Sequence, residues 1–212
     1  MTDYERLHIL FNNLKRFTYP YNETQISKNG IYILFEKGEY FKGLDRVVRI
    51  GSHTGNNRLL TRVNEHYIKE DHRDSIFRKH LGRSFLTIKK RTDYIEIWDL
   101  KIKKRVDKER NYNRINWELE KEYEQLITNY IRTNFSFIVI PNLTNENERL
   151  RLEKGLIATF AQAIDKTSSE DWIGNYHPDK KIRDYKLWNI QHLKDTPLTE
   201  REIKLIEDKL QK

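Results

Sequence analysis

Apolar side chains follow a helical spacing near the start of the chain and an alternating spacing soon after it. Residues 4–17 are predicted to form an amphipathic helix, because apolar residues recur there every three or four positions: Leu7, Leu10, Phe11, Leu14 and Phe17. A polar loop follows. Residues 29–52 are then predicted to form a β-hairpin, because two apolar runs flank a glycine-bearing turn.

The remaining chain is predicted to be mainly helical. Helices are expected from Asn56 or Asn57 to about Glu70, in part of 71–84, over 116–132, from about Asn147 to Ile164, and from a capping box at Thr199–Glu202 onward. Further strands are expected at 93–102 and at Ser136–Ile140, the latter ended by Pro141.

This order of elements indicates an α+β fold, with a small three-stranded antiparallel sheet flanked by helices. The 212 residues suit one domain with elaborations. We expect a single domain over 1–212, with a core at about 28–166. An inserted basic arm is expected at about 88–115, and a C-terminal extension at about 167–212.

Composition excludes several kinds of site. The chain has no cysteine, which rules out disulfides, thiolate zinc sites and cysteine nucleophiles together. It has no apolar run long enough for a transmembrane helix and no apolar signal core at its start, so a cytoplasmic protein is expected. The formal net charge of +8 favours partners that carry phosphate, because neutralised phosphates release counterions.

A few polar residues occupy positions that simple packing would give to hydrocarbon. Tyr32 and Arg49 lie inside the apolar runs of the predicted hairpin. Arg62 and His66 are four residues apart on a predicted helix and therefore project from the same face. Glu153 falls within the apolar stripe of another helix, where an unpaired carboxylate costs several kcal/mol to bury.

Four motifs follow one another in an order that resembles the GIY-YIG nuclease family. They are G-I-Y at 30–32, R-I-G at 49–51, L-x-R-V-x-x-H at 60–66, and a helical glutamate at position 153. The resemblance spans residues 30–165. It implies metal-dependent hydrolysis of phosphodiester bonds in DNA, with double-stranded DNA as the expected substrate and a homodimer as one possible assembly.

The resemblance also implies roles for individual residues. Tyr32 matches the tyrosine that helps to activate the attacking water, and His66 matches the histidine that assists proton transfer or holds that tyrosine. Arg62 would stabilise charge on the phosphate. Glu153 would ligate the divalent cation, Mg²⁺ or Mn²⁺. Arg49 stands where the family has its second tyrosine, which leaves the identity of the general base open, although an arginine there still suits phosphate contact.

Further DNA-contacting residues are expected from two sources. The runs RVVRIGSH, HRDSIFRKHLG, DWIG and LWN are similar to a bacterial branch of GIY-YIG proteins and suggest His53, His72, Arg78 and Asn189. The basic arm, where aromatic residues are interleaved with cations, suggests Lys101, Lys103, Lys104 and Arg105. The alternative for the arm is a solvated hairpin whose charges protect an edge strand.

Other interpretations stay open at this point. Each candidate taken singly has an ordinary structural explanation, such as a strand tyrosine or a solvated helix face. His66, His72 and His80 suggest a zinc site only weakly, since their spacing is loose. For the whole chain, the alternatives are a DNA-binding module that has lost catalysis, a repair or mobile-element nuclease, and a basic interaction protein without nucleic acid.

Overall fold

An antiparallel four-stranded sheet forms the centre of the computed structural model, which describes residues 1–102 and 104–211. Its strands are β1 (Phe17–Thr18), β2 (Gly30–Phe41), β3 (Leu44–Gly51) and β4 (Phe135–Pro141). Their order across the sheet is β1-β4-β2-β3. Lys103, one of the expected arm contacts, lies outside the described residues.

The α+β prediction is confirmed, with one more strand than expected. β1 pairs with β4 through two residues, Phe17 opposite Phe137 and Thr18 opposite Ser136. A two-residue strand is too short to show an alternating pattern, so the sequence contains no signal for it. Phe17 had been placed at the end of the first helix, but its ring stacks on Phe137 with the centroids 5.1 Å apart.

The described helices surround this sheet. They are α1 (Asp3–Asn12), α2 (Leu59–Tyr67), α3 (Ile76–Ile88), α4 (Ile95–Trp98), α5 (Arg105–Asn111), α6 (Trp117–Asn134), α7 (Glu146–Gln162), α8 (Lys180–Tyr185) and α9 (Glu200–Leu210). The capping box at Thr199 and Glu202 is confirmed at the start of α9. Within the described part of the chain, no helix is long and apolar enough to cross a membrane.

The two faces of β2 pack against different helices. Ile31, Ile33 and Phe35 contribute to a core shared with α1, α7 and α9, whereas Tyr32 and Leu34 contribute to a core shared with α2, α3 and α6. This division follows from the period of two along a strand. It places the Tyr32 side chain on the side of the sheet that carries α2.

The register of the hairpin sets the positions of its motif residues. Tyr32 lies opposite Gly51, and Leu34 lies opposite Arg49, before an irregularity in the pairing at Phe35. Two positions along each strand bring a side chain back to the same face, so Arg49 and Tyr32 share one face. On its other side, β2 pairs with β4 from Gly30 to Glu36 without interruption.

The cap of α2 lies one or two residues later than predicted, at Arg58 instead of Asn56 or Asn57. Asn57 has a φ of +58°, so it cannot be part of a right-handed helix. Its backbone N–H donates to Asn29 Oδ1 at 2.7 Å, and its side-chain oxygen accepts from Asn29 Nδ2 at 2.9 Å. This tie to the residue before β2 holds Asn57 in the loop, and α2 begins at Leu59.

The prediction of a strand at 93–102 is wrong. The segment forms a 3₁₀ turn at Thr92–Tyr94 followed by α4. Trp98 is fully buried, its indole Nε1 donates to the Lys79 carbonyl at 3.1 Å, and a Cβ built on Gly82 would come within 2.2 Å of its ring. Docking of this tryptophan against α3 therefore outweighs the strand preference of the β-branched residues around it.

Candidate active site

A cleft of about 920 Å³ lies at the open end of the β2–β3 hairpin, bordered by α2, α3, α7 and residues 188–192. It brings together four of the five residues predicted to carry the chemistry: Tyr32, Arg49, Arg62 and Glu153. The fifth residue, His66, is connected to the cleft by a hydrogen bond to Tyr32.

Tyr32 lies across the hairpin and is almost fully buried. Its hydroxyl is 2.8 Å from His66 Nε2. Its ring lies against Gly51 on the neighbouring strand, where a Cβ would be 2.2 Å from the tyrosine hydroxyl. Gly51 therefore provides the space that this tyrosine occupies, and this contact joins the G-I-Y motif to the R-I-G motif.

His66 is held from both sides of its ring. Besides the bond to Tyr32, its Nδ1 is 2.7 Å from Ser75 Oγ, and Ser75 in turn caps the start of α3 by accepting from the Arg78 N–H. Burial, followed by the charges of Arg62, Arg49 and Arg78, lowers the pKa of His66 well below its usual range. The imidazole is therefore neutral at pH 7, so one of its ring nitrogens donates a hydrogen bond and the other accepts one.

Arg62 lies one helical turn before His66 and is the more exposed of the two. Its Nη1 donates to Glu65 Oε2 at 2.5 Å and to the Asp74 carbonyl at 3.3 Å. Burial alone would lower the pKa of Arg62, but the neighbouring Tyr32 and Glu65 outweigh it and the pKa is raised. The guanidinium is thus a permanent positive charge at the cleft beside the tyrosine.

Arg49 is buried in the wall of the cleft. Its Nη1 donates to the Trp188 carbonyl, and its guanidinium lies 5.2 Å from the centre of the Phe77 ring. No described residue offers an acceptor to its Nε, although that atom is buried. The arginine that replaces the second motif tyrosine therefore carries a donor that no described residue bonds.

Glu153 borders the cleft from α7. Its carboxylate oxygens accept from the Ser52 N–H at 3.0 Å and from the Ser52 hydroxyl at 2.5 Å. No lysine or arginine among residues 1–102 and 104–211 forms an ion pair with it. A partly exposed carboxylate that forms no ion pair with a described lysine or arginine fits a divalent cation that takes its other ligands from water and from a substrate phosphate.

A family model described as GIY-YIG domain matches residues 3–212. The chain belongs to the GIY-YIG family. This is a family of nucleases, whose members act on DNA and generally use divalent metals. No curated protein and no solved structure matches the chain.

A buried arginine that the sequence analysis did not select supports the GIY-YIG cleft. Arg149 is fully buried and donates to three backbone carbonyls, those of His53 at 3.2 Å, Leu143 at 2.6 Å and Gly55 at 2.8 Å. It fixes the loop that follows β3, directly after Ser52. The sequence signal for its burial is its position three residues before Leu152, because residues three apart lie on the same face of a helix.

His53 and Asn189 lie at the cleft, but backbone groups already bind their side chains. His53 Nε2 accepts from the Gly30 N–H at 3.4 Å. The Asn189 side chain accepts from the Ile50 N–H at 3.1 Å and donates to the Ile50 carbonyl at 2.9 Å. The Asn189 side chain thus pairs with the free edge of β3. This is a structural role, whereas the sequence predicted a contact with phosphate.

The expectation that His72 and Arg78 contact DNA needs correction, because both point into the protein. Glu124 binds them together: His72 Nδ1 lies 2.7 Å from its carboxylate, and Arg78 Nη2 lies 2.5 Å from it. Burial alone would raise the pKa of Glu124, but His72 and Arg78 lower it. Arg78 also donates to the His66 carbonyl at 2.8 Å and so supports α2 from behind.

The basic arm is partly folded into the body and partly exposed. Tyr94 and Trp98 are buried, so the alternative of a solvated hairpin is wrong for this part. Lys101, Lys104 and Arg105 are exposed, and Arg105 pairs with Glu109 on α5. The zinc alternative gains no support, since no group of three histidines or acids in the described ranges is arranged to hold a metal.

Proposed function

We propose that this protein is a divalent-metal-dependent endonuclease that hydrolyses phosphodiester bonds in DNA. The observation that carries the proposal is the 2.8 Å hydrogen bond between Tyr32 and a neutral His66, in a cleft that also contains Arg62 and Glu153. Membership of a nuclease family agrees with this arrangement.

The tyrosine and histidine would act together as the general base. In the tautomer that donates from Nδ1 to Ser75, His66 Nε2 accepts a hydrogen bond from the Tyr32 hydroxyl. As the water attacks, its proton would pass to the Tyr32 oxygen while the phenolic proton passes to His66 Nε2, so that Tyr32 ends as a phenol and His66 holds the one proton removed. General-base catalysis of this kind contributes roughly 10²–10⁴-fold to a rate.

The two charged residues would stabilise the phosphate. Arg62 offers a guanidinium at the mouth of the cleft, where it neutralises charge that builds up on the phosphoryl oxygens. Glu153, positioned by Ser52, would hold the metal ion, with the other ligands supplied by water and substrate. A bound Mg²⁺ or Mn²⁺ supplies Lewis-acid stabilisation of the phosphoryl and leaving oxygens.

The substrate we propose is double-stranded DNA. The net charge of +8 and the exposed cations Lys101, Lys104 and Arg105 favour contacts along the phosphate backbone. The cleft contains one Tyr32–His66 pair, so cleavage of both strands needs either a homodimer or two separate encounters. A role in restriction or another defence is the biology we propose, and repair or mobile-element enzymes would use the same chemistry.

One observation favours a second candidate, a DNA-binding module that has lost catalysis. Arg49 replaces the second motif tyrosine, and the Trp188 carbonyl already binds one of its nitrogens. An arginine cannot accept the proton of an attacking water. In that case the cleft would still bind phosphate, but DNA would remain intact in every metal.

The two candidates are separated by incubating the protein with supercoiled plasmid and Mg²⁺, with EDTA as a control. We expect nicked and linear products from the parent protein, and losses of roughly 10²-fold or more for Glu153→Ala and Tyr32→Phe. Glu122→Ala, which removes an exposed carboxylate of α6 away from the cleft, serves as the matched control and should cut normally. Cutting that survives both cleft substitutions contradicts the proposal, and binding without cutting in Mg²⁺ and Mn²⁺ favours the second candidate.

A further inference from the structure

A chain of hydrogen bonds behind the cleft determines which nitrogen of His80 carries its proton. The Asp179 N–H donates to His177 Nδ1 at 2.9 Å, a shorter contact than the 3.4 Å between that nitrogen and the Asp179 carbonyl, so the proton of neutral His177 is assigned to Nε2. His177 Nε2 lies 3.0 Å from His80 Nδ1. Arg83 Nη1, which can only donate, lies 3.3 Å from the same His80 nitrogen.

Both histidines are neutral in the fold. Burial lowers the pKa of His177 to about 4 and lowers the pKa of His80 well below its usual range. His80 Nδ1 therefore accepts hydrogen bonds, and the single proton of His80 is on Nε2. The tautomer follows from the partners and leaves Nε2–H as a donor.

This donor has no acceptor among the described residues. His80 is fully buried and lines the same cleft as Tyr32, yet its Nε2 is unbonded. Arg49, in the wall of that cleft, has an unbonded and buried Nε–H as well. Buried donors without acceptors are rare, and they commonly indicate a missing water or ligand.

The surroundings of His80 favour an anion as that ligand. Burial, His177, Arg83, Arg49 and Lys79 all lower the pKa of His80, and the last three carry positive charge. Two of the buried, unbonded nitrogens that line the cleft, His80 Nε2–H and Arg49 Nε–H, are donors, so their missing partner must be an acceptor. A phosphodiester oxygen combines negative charge with several acceptor sites, which suits both donors.

We propose that His80 is a phosphate-contacting residue of the nuclease: when DNA enters the cleft, the side chains that cover the buried Nε2–H of His80 and Nε–H of Arg49 move aside, and both donors bind an oxygen of the DNA backbone. His177 is then a positioning residue, because it maintains the tautomer of His80 without reaching the cleft itself. This inference rests on the proposed function, since it takes DNA as the ligand.

The test uses the Glu153→Ala protein, which keeps the DNA intact, and a 20-base-pair duplex whose binding is measured by fluorescence anisotropy at fixed salt. His80→Phe keeps a ring but removes the donor, and should weaken binding about tenfold or more, as for a lost hydrogen bond to a charged group. His80→Gln places an amide N–H near the position of Nε2 and should stay within about threefold. His177→Leu removes the contact that sets the tautomer of His80, and its affinity for the duplex should lie between those of the two His80 variants.

A second measurement remains valid even if these variants fold poorly. The Nε2–H resonance of His80, assigned in the parent protein by through-bond correlations in a ¹³C,¹⁵N-labelled sample, should show the Nε2–H tautomer and shift downfield when the duplex is added. An unchanged resonance in the presence of bound DNA, or equal affinity of the parent, Phe and Gln proteins, overturns the inference and leaves only a buried water at this donor. Failure of the parent protein to bind the duplex at all contradicts the proposed function instead.

Discussion

One methyl group at Gly51 should disconnect Tyr32 from His66. The Cβ of Gly51→Ala would lie 2.2 Å from the tyrosine hydroxyl and 2.9 Å from Cε1 of the ring. Ordinary contacts between non-bonded heavy atoms are about 3.5–4.0 Å, so the phenol must move by roughly 1 Å or more. Its hydrogen bond to His66 is 2.8 Å long, and such a displacement takes it out of hydrogen-bonding range.

The cost has a structural and a catalytic part. Overpacking a well-filled site costs about 1–3 kcal/mol of stability, and the lost hydrogen bond adds about 1 kcal/mol. If Tyr32 and His66 form the general base, the rate of DNA cleavage should fall roughly 10²-fold or more. Binding of DNA should change far less, because Arg62 and the outer cations are untouched.

Cleavage and stability should therefore be measured on the same samples, with initial rates of plasmid nicking beside urea unfolding. Gly155→Ala on α7 is the matched control, because its Cβ would crowd the side chains of Leu198 and Arg151 without touching Tyr32. It should lose stability but retain most of its activity. A folded Gly51→Ala protein that cuts at the parent rate would refute the coupling of Tyr32 to His66.

Two further predictions concern stability. Burial lowers the folded-state pKa of five histidines, namely His8, His53, His66, His80 and His177. Their contribution to folding stability is complete above the unfolded-state pKa of 6.5 and is lost as the pH falls toward the folded-state pKa of about 4, because the unfolded chain then binds protons that the folded protein does not. The Tm should therefore be lower at pH 5 than at pH 7.5, and an equal Tm would contradict this. Arg78→Met should cost about 3–5 kcal/mol in urea unfolding by leaving Glu124 with less charge compensation, whereas Arg105→Met, at an exposed pair, should change little.

The parts of the fold that the sequence predicted are those encoded locally. The hairpin follows from alternation around a glycine turn, and the end of the chain follows from a capping box, so both are confirmed. Helical spacing alone placed Arg62 and His66 on one face, and the structure does put both next to Tyr32. Each of these features depends on residues a few positions apart.

The errors arose where a distant partner decides the conformation. Trp98 turns a segment of strand-like composition into a helix because it fills a space beside Gly82. His72 and Arg78 were expected to contact DNA, but both are buried against Glu124, about fifty residues later in the chain. A single sequence shows which residues are charged, but it does not show which of them will meet across the fold.

Arg49 combines both situations. Its place on the hairpin follows from the register with Leu34, so a position near the cleft was predictable from the motif. Its surroundings were not, because the Trp188 carbonyl that binds it comes from far along the chain. That bond holds the guanidinium in the wall with Nε unbonded, beside His80. On the proposed function, the arginine removes a proton acceptor and adds a donor, so the base would be left to Tyr32 and His66 and the wall would gain a means of holding phosphate.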